Sequence, residues 1–339
     1  MDSESKTIEI IRSIQLAIIV PVNLIGNTLV CIVLYRTPQL RTPMNYLLVN
    51  LAISDIMVAF FMTADQPFFY GWEHPSGTTG DYLCKFITGK LFSWVGSVAS
   101  VFTLVALVFE RYYAIVYPLR SRAQITRKQF YAIIISCWTF AFCFNIPLVV
   151  VRIYNTNVAA TGYFCRSNWS SDDIAKAYNF IWLFFIGILP ITVMGFLYSR
   201  IARSLWGTGN RVGPEQFTSQ VRFKARKRVT KMLITITILY ALCWMPNLLI
   251  NVISYYYTPS GIFSYGYLIT EVLVLLNSSI NPFVYGIQSQ QFRNGVKVIL
   301  CCKWCPRRQN EAQGNEQNKL ELANMRSPRA SMITAGFAN

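Results

Sequence analysis

Seven segments of the chain are apolar and long enough to cross a lipid bilayer. A membrane-spanning α-helix needs about 20 mainly apolar residues. Hydropathy places such windows at residues 14–35, 46–70, 86–109, 130–151, 177–198, 232–257 and 262–287. Hydrophobic residues make up 53% of the 339 positions and charged residues only 14%, against about a quarter charged in soluble domains. Because helices satisfy their own backbone polar groups in lipid, we predict an all-α membrane protein, a seven-transmembrane helix bundle.

The charged residues are distributed unevenly between the two sides of this bundle. If the amino terminus lies outside, 24 of the 31 Lys and Arg residues fall in the inner segments. Cytoplasmic loops are enriched in these residues, so the distribution predicts a multi-pass plasma-membrane protein with its amino terminus outside. The net charge of +16 then reflects membrane topology and does not indicate a nucleic-acid partner.

The domain boundaries follow from the same pattern. Residues 1–13 are predicted to be a short extracellular amino terminus, and residues 14–288 the transmembrane bundle. Residues 289–305 mix apolar and basic side chains, which is typical of an amphipathic helix in contact with membrane lipid. Residues 306–339 are rich in Asn, Gln and Glu and are expected to form a disordered cytoplasmic tail.

The positions of the cysteines and of one sequon predict covalent modifications. Cys84 and Cys165 are the only cysteines in outer, oxidising territory, so they are the natural disulfide pair. Asn168 begins the sequence Asn-Trp-Ser, an N-glycosylation sequon in an outer loop. Three cysteines follow the last segment and are predicted palmitoylation sites: Cys301, Cys302 and Cys305.

Some polar residues lie inside the apolar segments, where each needs a partner. Asp55 is near the middle of the second segment, where a carboxylate requires a proton, other polar groups, water or a cation. Glu110, Arg111 and Tyr112 end the third segment, and we expect Arg111 to face the bundle interior or a watery cavity. An arginine that extends to the membrane interface is the alternative.

The sequence carries no sign of catalysis. His74 is the only histidine, which argues against imidazole catalysis and against a histidine-based metal site. No HExxH, GxGxxG or Walker pattern occurs, and no internal repeat of the kind common in transporters is visible. We therefore predict that the protein is neither an enzyme nor a transporter.

Short motifs follow one another in a fixed order along the seven segments. They are Gly26-Asn27, residues 50–55 (Asn-Leu-Ala-Ile-Ser-Asp), Cys84 with Cys165, Glu110-Arg111-Tyr112, Trp138, Pro190 with Tyr198, residues 243–246 (Cys-Trp-Met-Pro) and residues 281–285 (Asn-Pro-Phe-Val-Tyr). In this order, and over about residues 14–305, they closely resemble the rhodopsin-like (class A) G-protein-coupled receptors. The resemblance implies that an outer ligand favours an active state in which the inner ends of the fifth and sixth segments part to admit a heterotrimeric G protein.

The resemblance also assigns roles to individual residues. Those implied in activation and G-protein coupling are Glu110, Arg111, Tyr112, Tyr198, Pro246, Asn281, Pro282 and Tyr285. Glu110 would hold Arg111 in the resting state. Tyr198 and Tyr285 would receive it after activation. Pro246 removes a helix hydrogen bond and so provides a bend about which the lower sixth segment can pivot. Arrestin and receptor kinases are further partners that the resemblance suggests.

A second implied site surrounds Asp55. Together with Asn27, Ser100, Asn277 and Asn281, Asp55 looks like the family's sodium-and-water cluster, whose collapse would accompany activation. A hydrogen bond between packed helices is the alternative explanation of Asp55. No other cofactor is expected, so an allosteric sodium ion is the one that the resemblance suggests.

The chain departs from the family pattern in two places. Cys84 precedes Arg111 by 27 positions, two more than is usual, so we expect a local irregularity at the top of the third helix. Some relatives place an acid on the sixth helix to latch the arginine, whereas this chain has Lys-Ala-Arg-Lys at residues 224–227. We hypothesise that Arg111 is restrained mainly by Glu110 and that basal signalling is raised.

The outer ends of the segments narrow the class of ligand. Residues 271–279 contain no lysine, which excludes an opsin, and residues 90–97 contain no carboxylate, which argues against a monoamine receptor. The short amino terminus argues against large glycoprotein hormones. What remains resembles the neuropeptide receptors, and a receptor for a biogenic amine or another small molecule is the alternative.

The residues expected to bind the ligand lie near the outer ends of four segments. They are Asp65, Gln66, Ser93, Trp94, Ser97, Trp244, Asn247, Asn251, Tyr267 and Glu271. Two carboxylates in a partly dry cavity match a guanidinium. We therefore hypothesise that Asp65 and Glu271 bind the cationic end of a short peptide, such as an amidated one carrying Arg. The alternative is that these acids pair with Lys90 or Arg152 and do not contact the ligand.

Overall fold

A computed structural model of the protein describes residues 3–38, 42–69, 71–117, 127–156, 164–209, 217–256 and 261–301. Most of these residues are helical. The α-helices are Ser3–Ile14, Val20–Arg36, Pro43–Met62, Gln66–Phe69, Gly77–Phe86, Leu91–Val116, Arg127–Val151, Asp172–Trp182, Leu189–Gly209, Phe217–Ile253, Gly261–Gln288 and Gln290–Cys301. Two π-helical segments, Gln15–Ile19 and Leu183–Ile188, join neighbouring α-helices into longer continuous ones.

Seven helices are long and apolar enough to cross a membrane, which confirms the predicted bundle. They are Thr7–Arg36, Pro43–Phe68, Gly77–Val116, Lys128–Val151, Asp172–Leu205, Lys227–Ile253 and Gly266–Gln288, and we number them helices one to seven. Residues 3–13, which hydropathy left outside the first window, are helical and continuous with helix one. The short helix Gln290–Cys301 follows helix seven in the chain, as predicted.

Helix three is interrupted near its start, as the wide spacing of Cys84 and Arg111 predicted. The helix Gly77–Phe86 ends in a turn, and Lys90 then adopts a left-handed backbone conformation with φ 65°. Only after Lys90 does the helix continue, from Leu91 to Val116. A residue other than glycine rarely adopts this conformation, so Lys90 marks a defined break in helix three.

A disulfide and a two-stranded sheet cover the end of the bundle at which helix three begins. Strand β1 (Arg152–Tyr154) pairs antiparallel with strand β2 (Cys165–Ser167). Cys84 and Cys165 form the predicted disulfide. Asp81 also accepts a hydrogen bond of 2.7 Å from the Tyr154 backbone N–H. The hairpin is therefore fixed to helix three by one covalent and one polar contact, and we call this end of the bundle the disulfide end.

The predicted modification sites are partly described. Asn168 is exposed and follows β2 directly. Cys301 ends the last described helix, whereas Cys302, Cys305 and the predicted tail, residues 306–339, lie outside the described residues. Glycosylation and palmitoylation stay predictions.

Glycines allow the helices to approach one another closely. A Cβ atom added at Gly96 of helix three would lie 2.9 Å from the backbone oxygen of Ser54 in helix two. A Cβ atom added at Gly26 of helix one would lie 3.0 Å from the ring of Pro282 in helix seven. Small residues at such crossings are typical of membrane bundles, because they let dispersion contacts replace the hydrophobic effect. Gly26 and Pro282, both members of family motifs, therefore have a packing function.

Replacing Gly96 by Ala is expected to destabilise the bundle. The added methyl group meets a backbone oxygen that cannot rotate away, and overpacking of this kind costs about 1–3 kcal/mol. Thermal unfolding of the purified protein in detergent measures the effect. Gly195→Ala in helix five is the matched control, because a Cβ atom there meets nothing within 4 Å. Equal unfolding midpoints for the two variants would contradict this packing.

Candidate functional site

Asp55 is fully buried in the bundle, where its two oxygens accept hydrogen bonds from two other helices. The Ser100 hydroxyl of helix three donates to Oδ1 at 3.1 Å, and the Asn281 amide of helix seven donates to Oδ2 at 2.7 Å. The Asn27 amide donates to the Ser278 backbone carbonyl at 3.1 Å and so connects helix one to helix seven. Helices one, two, three and seven are therefore joined around one carboxylate.

The residues around Asp55 have the donor chemistry that a hard cation requires. Carboxylate, hydroxyl and amide oxygens are the ligands that such ions prefer. Asn277 is buried one helical turn before Asn281. Asn27 Oδ1 is buried without a hydrogen-bond partner among the described residues. An oxygen left in this condition accommodates a further polar group, so the cluster fits the sodium site that the sequence suggested.

A second buried cluster joins helices two, three and four. The Asn50 amide donates to the Thr103 hydroxyl at 2.8 Å, and Asn50 Oδ1 accepts a hydrogen bond of 3.0 Å from Trp138 Nε1. Trp138 and Asn50 were motif members without an assigned role, and Thr103 carried no sequence signal. Their contacts explain why an amide at Asn50 and an indole at Trp138 occur together in this chain.

Arg111 forms an ion pair with its neighbour Glu110 at the opposite end of helix three. The guanidinium donates from Nε and Nη2 to the two carboxylate oxygens, the second contact measuring 2.6 Å. The side chains of Arg111 and Glu110 are only 15% and 13% exposed. Arg111 is therefore largely buried, and its contact with Glu110 is the one that the resemblance implies for the resting state.

Helix six is held to its neighbours by neutral hydrogen bonds. The hydroxyls of Tyr198 in helix five and Thr237 in helix six lie 2.9 Å apart. The Gln288 amide of helix seven donates to the Thr235 hydroxyl at 3.0 Å. Both bonds must break if this part of helix six moves away from helices five and seven. No motif contains the two threonines or Gln288, so the sequence analysis did not identify them.

A third contact joins helices five and six nearer the middle of the bundle. Tyr240 is fully buried, and its hydroxyl donates to the backbone carbonyl of Ile186. Ile186 lies in the π-helical segment Leu183–Ile188, and such segments disturb the regular pattern of backbone hydrogen bonds. The Tyr240 ring is 6.2 Å from that of Trp244, and Pro246 lies two residues after Trp244 inside the same helix.

Tyr285 has a polar group that lacks a partner. Its side chain is buried, and its hydroxyl forms no hydrogen bond with any described residue. Leaving such a group unpaired costs about 1–3 kcal/mol. Tyr285 is therefore available to a new partner when the helices rearrange, which is the role that the resemblance gave it.

Two cavities open at the disulfide end of the bundle. The first has a volume of about 180 Å³ and is lined by aromatic and amide side chains, among them Trp94, Asn247, Asn251, Tyr255 and Tyr267. Burial raises the pKa of Tyr255, so this phenol stays a neutral hydrogen-bond donor at physiological pH. The second cavity has a volume of about 460 Å³, and its lining includes Asp65, Lys90, Arg152, Arg166, Tyr267 and Glu271.

Six of the ten predicted ligand residues line these cavities, and four do not. Gln66, Ser93, Ser97 and Trp244 are buried and belong to neither lining. The Ser93 hydroxyl, for example, donates to the Val58 backbone carbonyl at 3.1 Å. Trp244 is connected to the first cavity indirectly, since its ring lies 6.4 Å from that of Trp94.

Glu271 already has a cationic partner within the protein. Lys90 donates to both carboxylate oxygens, at 3.0 and 2.8 Å, and the two side chains are 13% and 4% exposed. Asp65 faces the charges of Lys90 and Arg12, and its Oδ1 is buried without a hydrogen-bond partner among the described residues. For Glu271 the structure thus favours the alternative in which the acid pairs with Lys90. Within the described residues Arg152 pairs with neither acid.

Comparison with known proteins identifies related sequences over most of the chain. The family model of the 7 transmembrane receptors (rhodopsin family) matches residues 26–285. Neuropeptide FF receptor 2 of Rattus norvegicus is 31% identical over 294 residues, which cover 81% of this chain and 68% of the relative. Neuromedin-U receptor 2 of Mus musculus is 30% identical over 329 residues, covering 91% and 80%. Galanin receptor type 2 of Homo sapiens is 32% identical over 295 residues, covering 86% and 73%.

Replacing Lys90 by Met is expected to destabilise the protein strongly. The substitution leaves Glu271 buried and unpaired, and breaking a buried pair in this way costs about 3–5 kcal/mol. The double variant Lys90→Met with Glu271→Gln is expected to recover most of the loss, because no uncompensated charge remains. Thermal unfolding midpoints measure both effects.

The matched control for Lys90→Met and its double variant is Lys176→Met. Lys176 pairs with Asp173 at 3.6 Å on the surface, and Asp173 is 94% exposed. Exposed pairs contribute only about 0–1 kcal/mol. An unfolding midpoint for Lys90→Met no lower than that of the control would show that the buried pair is not stabilising.

Proposed function

Because the chain belongs to the rhodopsin family of seven-transmembrane receptors, we propose that it is a G-protein-coupled receptor for an extracellular neuropeptide. The relatives named above are receptors for neuropeptide FF, neuromedin-U and galanin. The observation that carries the proposal is the connection between the first cavity and helix six. Trp94 lines that cavity and contacts Trp244, which lies directly above the Tyr240 contact with helix five.

The protein crosses the plasma membrane several times, and we propose that its disulfide end lies outside the cell. This orientation puts the amino terminus outside and the Glu110–Arg111 pair near the cytoplasm. The excess of Lys and Arg in the segments that it places inside supports it. The two cavities are then open to an extracellular peptide, and the inner ends of helices five and six face the G protein.

Binding in the cavities would act on helix six through packed aromatic rings. A ligand that contacts Trp94 changes the packing between Trp94 and Trp244, whose ring centroids are 6.4 Å apart. Pro246 weakens helix six at that level, so the part below it can turn as a unit. The ligand shifts this equilibrium only by its better affinity for the active state, and the G protein in turn raises the affinity for ligand.

Outward movement of the inner part of helix six would break two hydrogen bonds and free one hydroxyl. The Tyr198–Thr237 and Gln288–Thr235 bonds are lost. Tyr198 then has a hydroxyl available for Arg111, which exchanges Glu110 for new partners as the G protein enters. The unpaired hydroxyl of Tyr285 is the other acceptor available to it.

We also propose that the Asp55 cluster holds sodium in the resting state. Asp55, Ser100, Asn277 and Asn281 would hold the ion, and its positive charge would neutralise the buried carboxylate. Closure of helix seven onto helices two and three would then accompany activation. Arrestin and receptor kinases are proposed to recognise the same inner face, and the short helix Gln290–Cys301 to contact membrane lipid.

A ligand screen tests the proposed function. Cells that express the chain are exposed to a neuropeptide library, including amidated peptides that contain Arg, with biogenic amines alongside. Calcium and cyclic AMP are the readouts. A peptide response that disappears in Arg111→Ala is the expected result, because that variant cannot couple. A response to an amine would overturn the ligand class. Silence towards every compound would contradict the peptide ligand and favour a lipid ligand or a scaffold that does not couple.

Replacing Thr237 by Val is expected to raise ligand-independent signalling about fivefold. The substitution removes a bond worth about 1 kcal/mol that exists only while helix six is in its resting position. The control is Thr192→Val in helix five, whose hydroxyl bonds only to the Ile188 backbone carbonyl of its own helix. Basal signalling of Thr237→Val that matches the control would exclude this role.

Unmodified receptor is expected to signal above mock-transfected cells in the absence of ligand. The segment that carries a latching acid in some relatives is basic here, and the bonds that restrain the inner part of helix six among the described residues are neutral. The measurement compares basal cyclic AMP and calcium at matched surface expression. Basal signalling equal to that of mock-transfected cells would mean that the Tyr198 and Gln288 contacts are a sufficient restraint.

A further inference from the structure

The charged side chains around the second cavity face opposite charges, with the exception of Arg152 and Arg166. Lys90 neutralises Glu271 through two hydrogen bonds, and Asp65 faces both Lys90 and Arg12. A cationic ligand group must therefore displace Lys90 from Glu271 before it gains that carboxylate as a partner. An anionic ligand group meets no such competitor.

Arg152 is one of the two arginines that this balance leaves over, and Arg166 is the other. Arg152 is the first residue of β1, directly after helix four, and it lines both cavities. Its Nε is buried and forms no hydrogen bond with any described residue, and within those residues no carboxylate pairs with it. Buried donors nearly always have a partner, and leaving one unpaired costs about 1–3 kcal/mol. A ligand can supply the missing acceptor.

The first cavity provides an aromatic wall beside this guanidinium. Among the described residues that line it, Arg152 is the only charged one, and the others are aromatic, amide, hydroxyl and leucine side chains. Trp94, Trp182 and Tyr267 are among them. An aromatic ring fits such a wall, and its neighbouring carboxylate would reach Arg152. Arg166 is exposed and lines only the second cavity, so it cannot take this role in the first.

We infer that Arg152 recognises a carboxylate that lies next to an aromatic group of the ligand. This inference rests on the proposed peptide-receptor function and adds the charge of the recognised group. Guanidinium binds carboxylate through two parallel hydrogen bonds, which gives both energy and direction. An unamidated aromatic residue at the end of a peptide has this chemistry, and so has an acidic side chain beside an aromatic one.

Three small probes distinguish these sources of the carboxylate. N-acetyl-L-tryptophan carries a terminal carboxylate, and N-acetyl-L-tryptophanamide is the same molecule without the charge. N-acetyl-L-aspartyl-L-tryptophanamide carries the carboxylate on a side chain. Binding to the purified full-length chain in detergent is measured as a shift of the thermal unfolding midpoint with probe concentration. Ligands of this size bind with a Kd on the order of 0.1–1 mM.

At least one carboxylate probe is expected to bind about tenfold or more tightly than the tryptophanamide probe, because a charge-assisted pair adds that much affinity. Arg152→Gln is expected to abolish the difference. Arg152→Lys keeps the charge but not the two parallel bonds, so it should retain a reduced preference. Arg166→Gln is the matched control and should retain the full preference. The unfolding midpoint without probe shows that each variant is folded.

Two results would overturn the inference. One is found on the unmodified chain: either all three probes bind equally tightly, or none of them binds. The other is a preference for carboxylate that persists in Arg152→Gln. The measurement needs neither a G protein nor the native peptide, so its outcome is separable from that of the signalling screen. A chain that gives no signal in the screen can still bind a carboxylate probe more tightly than the tryptophanamide probe. A receptor that signals can bind the probes equally.

Discussion

The absence of water inside a lipid bilayer is the constraint on which this structure depends. Each polar group within the bundle must find its partner in the protein, and the partners chosen here divide the helices into two sets. Asp55 accepts bonds from Ser100 and Asn281, and Asn50 donates to Thr103 and accepts from Trp138. With the bond from Asn27 to the Ser278 carbonyl, these contacts connect helices one, two, three, four and seven. Among the described residues, the bonds of helix six to helices five and seven are all neutral: Thr237 bonds to Tyr198 and Met194, Tyr240 to Ile186, Asn247 to Thr270 and Thr235 to Gln288. The set that contains the buried carboxylate of Asp55 forms a frame, and helix six is the element that we propose moves against it.

The same constraint operates at the disulfide end, where the cavities bring charged groups out of water. The interruption of helix three gives Lys90 a left-handed backbone and places it where its ammonium meets Glu271. This pair uses an acid that is otherwise suited to a cationic ligand. Arg152 has no corresponding acid among the described residues, although its Nε is buried. We propose that a carboxylate of the ligand supplies the acceptor that Arg152 Nε lacks among the described residues.

Sequence reasoning identified the frame more completely than the site. The number of helices and the Cys84–Cys165 disulfide were predicted from composition and topology, and the irregular start of helix three from its departure from the family's spacing. The pairing of Glu271 was left open, since it depends on which faces of helices three and seven meet. The bonds of Thr235 and Thr237 were missed because a threonine in an apolar segment carries no signal of its partner. Gln66, Ser93, Ser97 and Trp244 were expected in the lining, but the depth of a cavity is set by side-chain packing. Hydropathy began helix one at residue 14 because it detects apolar composition, and residues 3–13 are helical but more polar.

The most direct test of the account is a distance between the inner ends of helices three and six. Spin labels introduced by unnatural amino acids at the exposed positions Tyr113 and Lys227 report this distance by pulsed electron resonance. The receptor is measured alone and with an activating peptide and nucleotide-free G protein. The account predicts one population without ligand and a second, longer distance that gains population when peptide and G protein are added together. A distance distribution that stays the same while the peptide is demonstrably bound would contradict it.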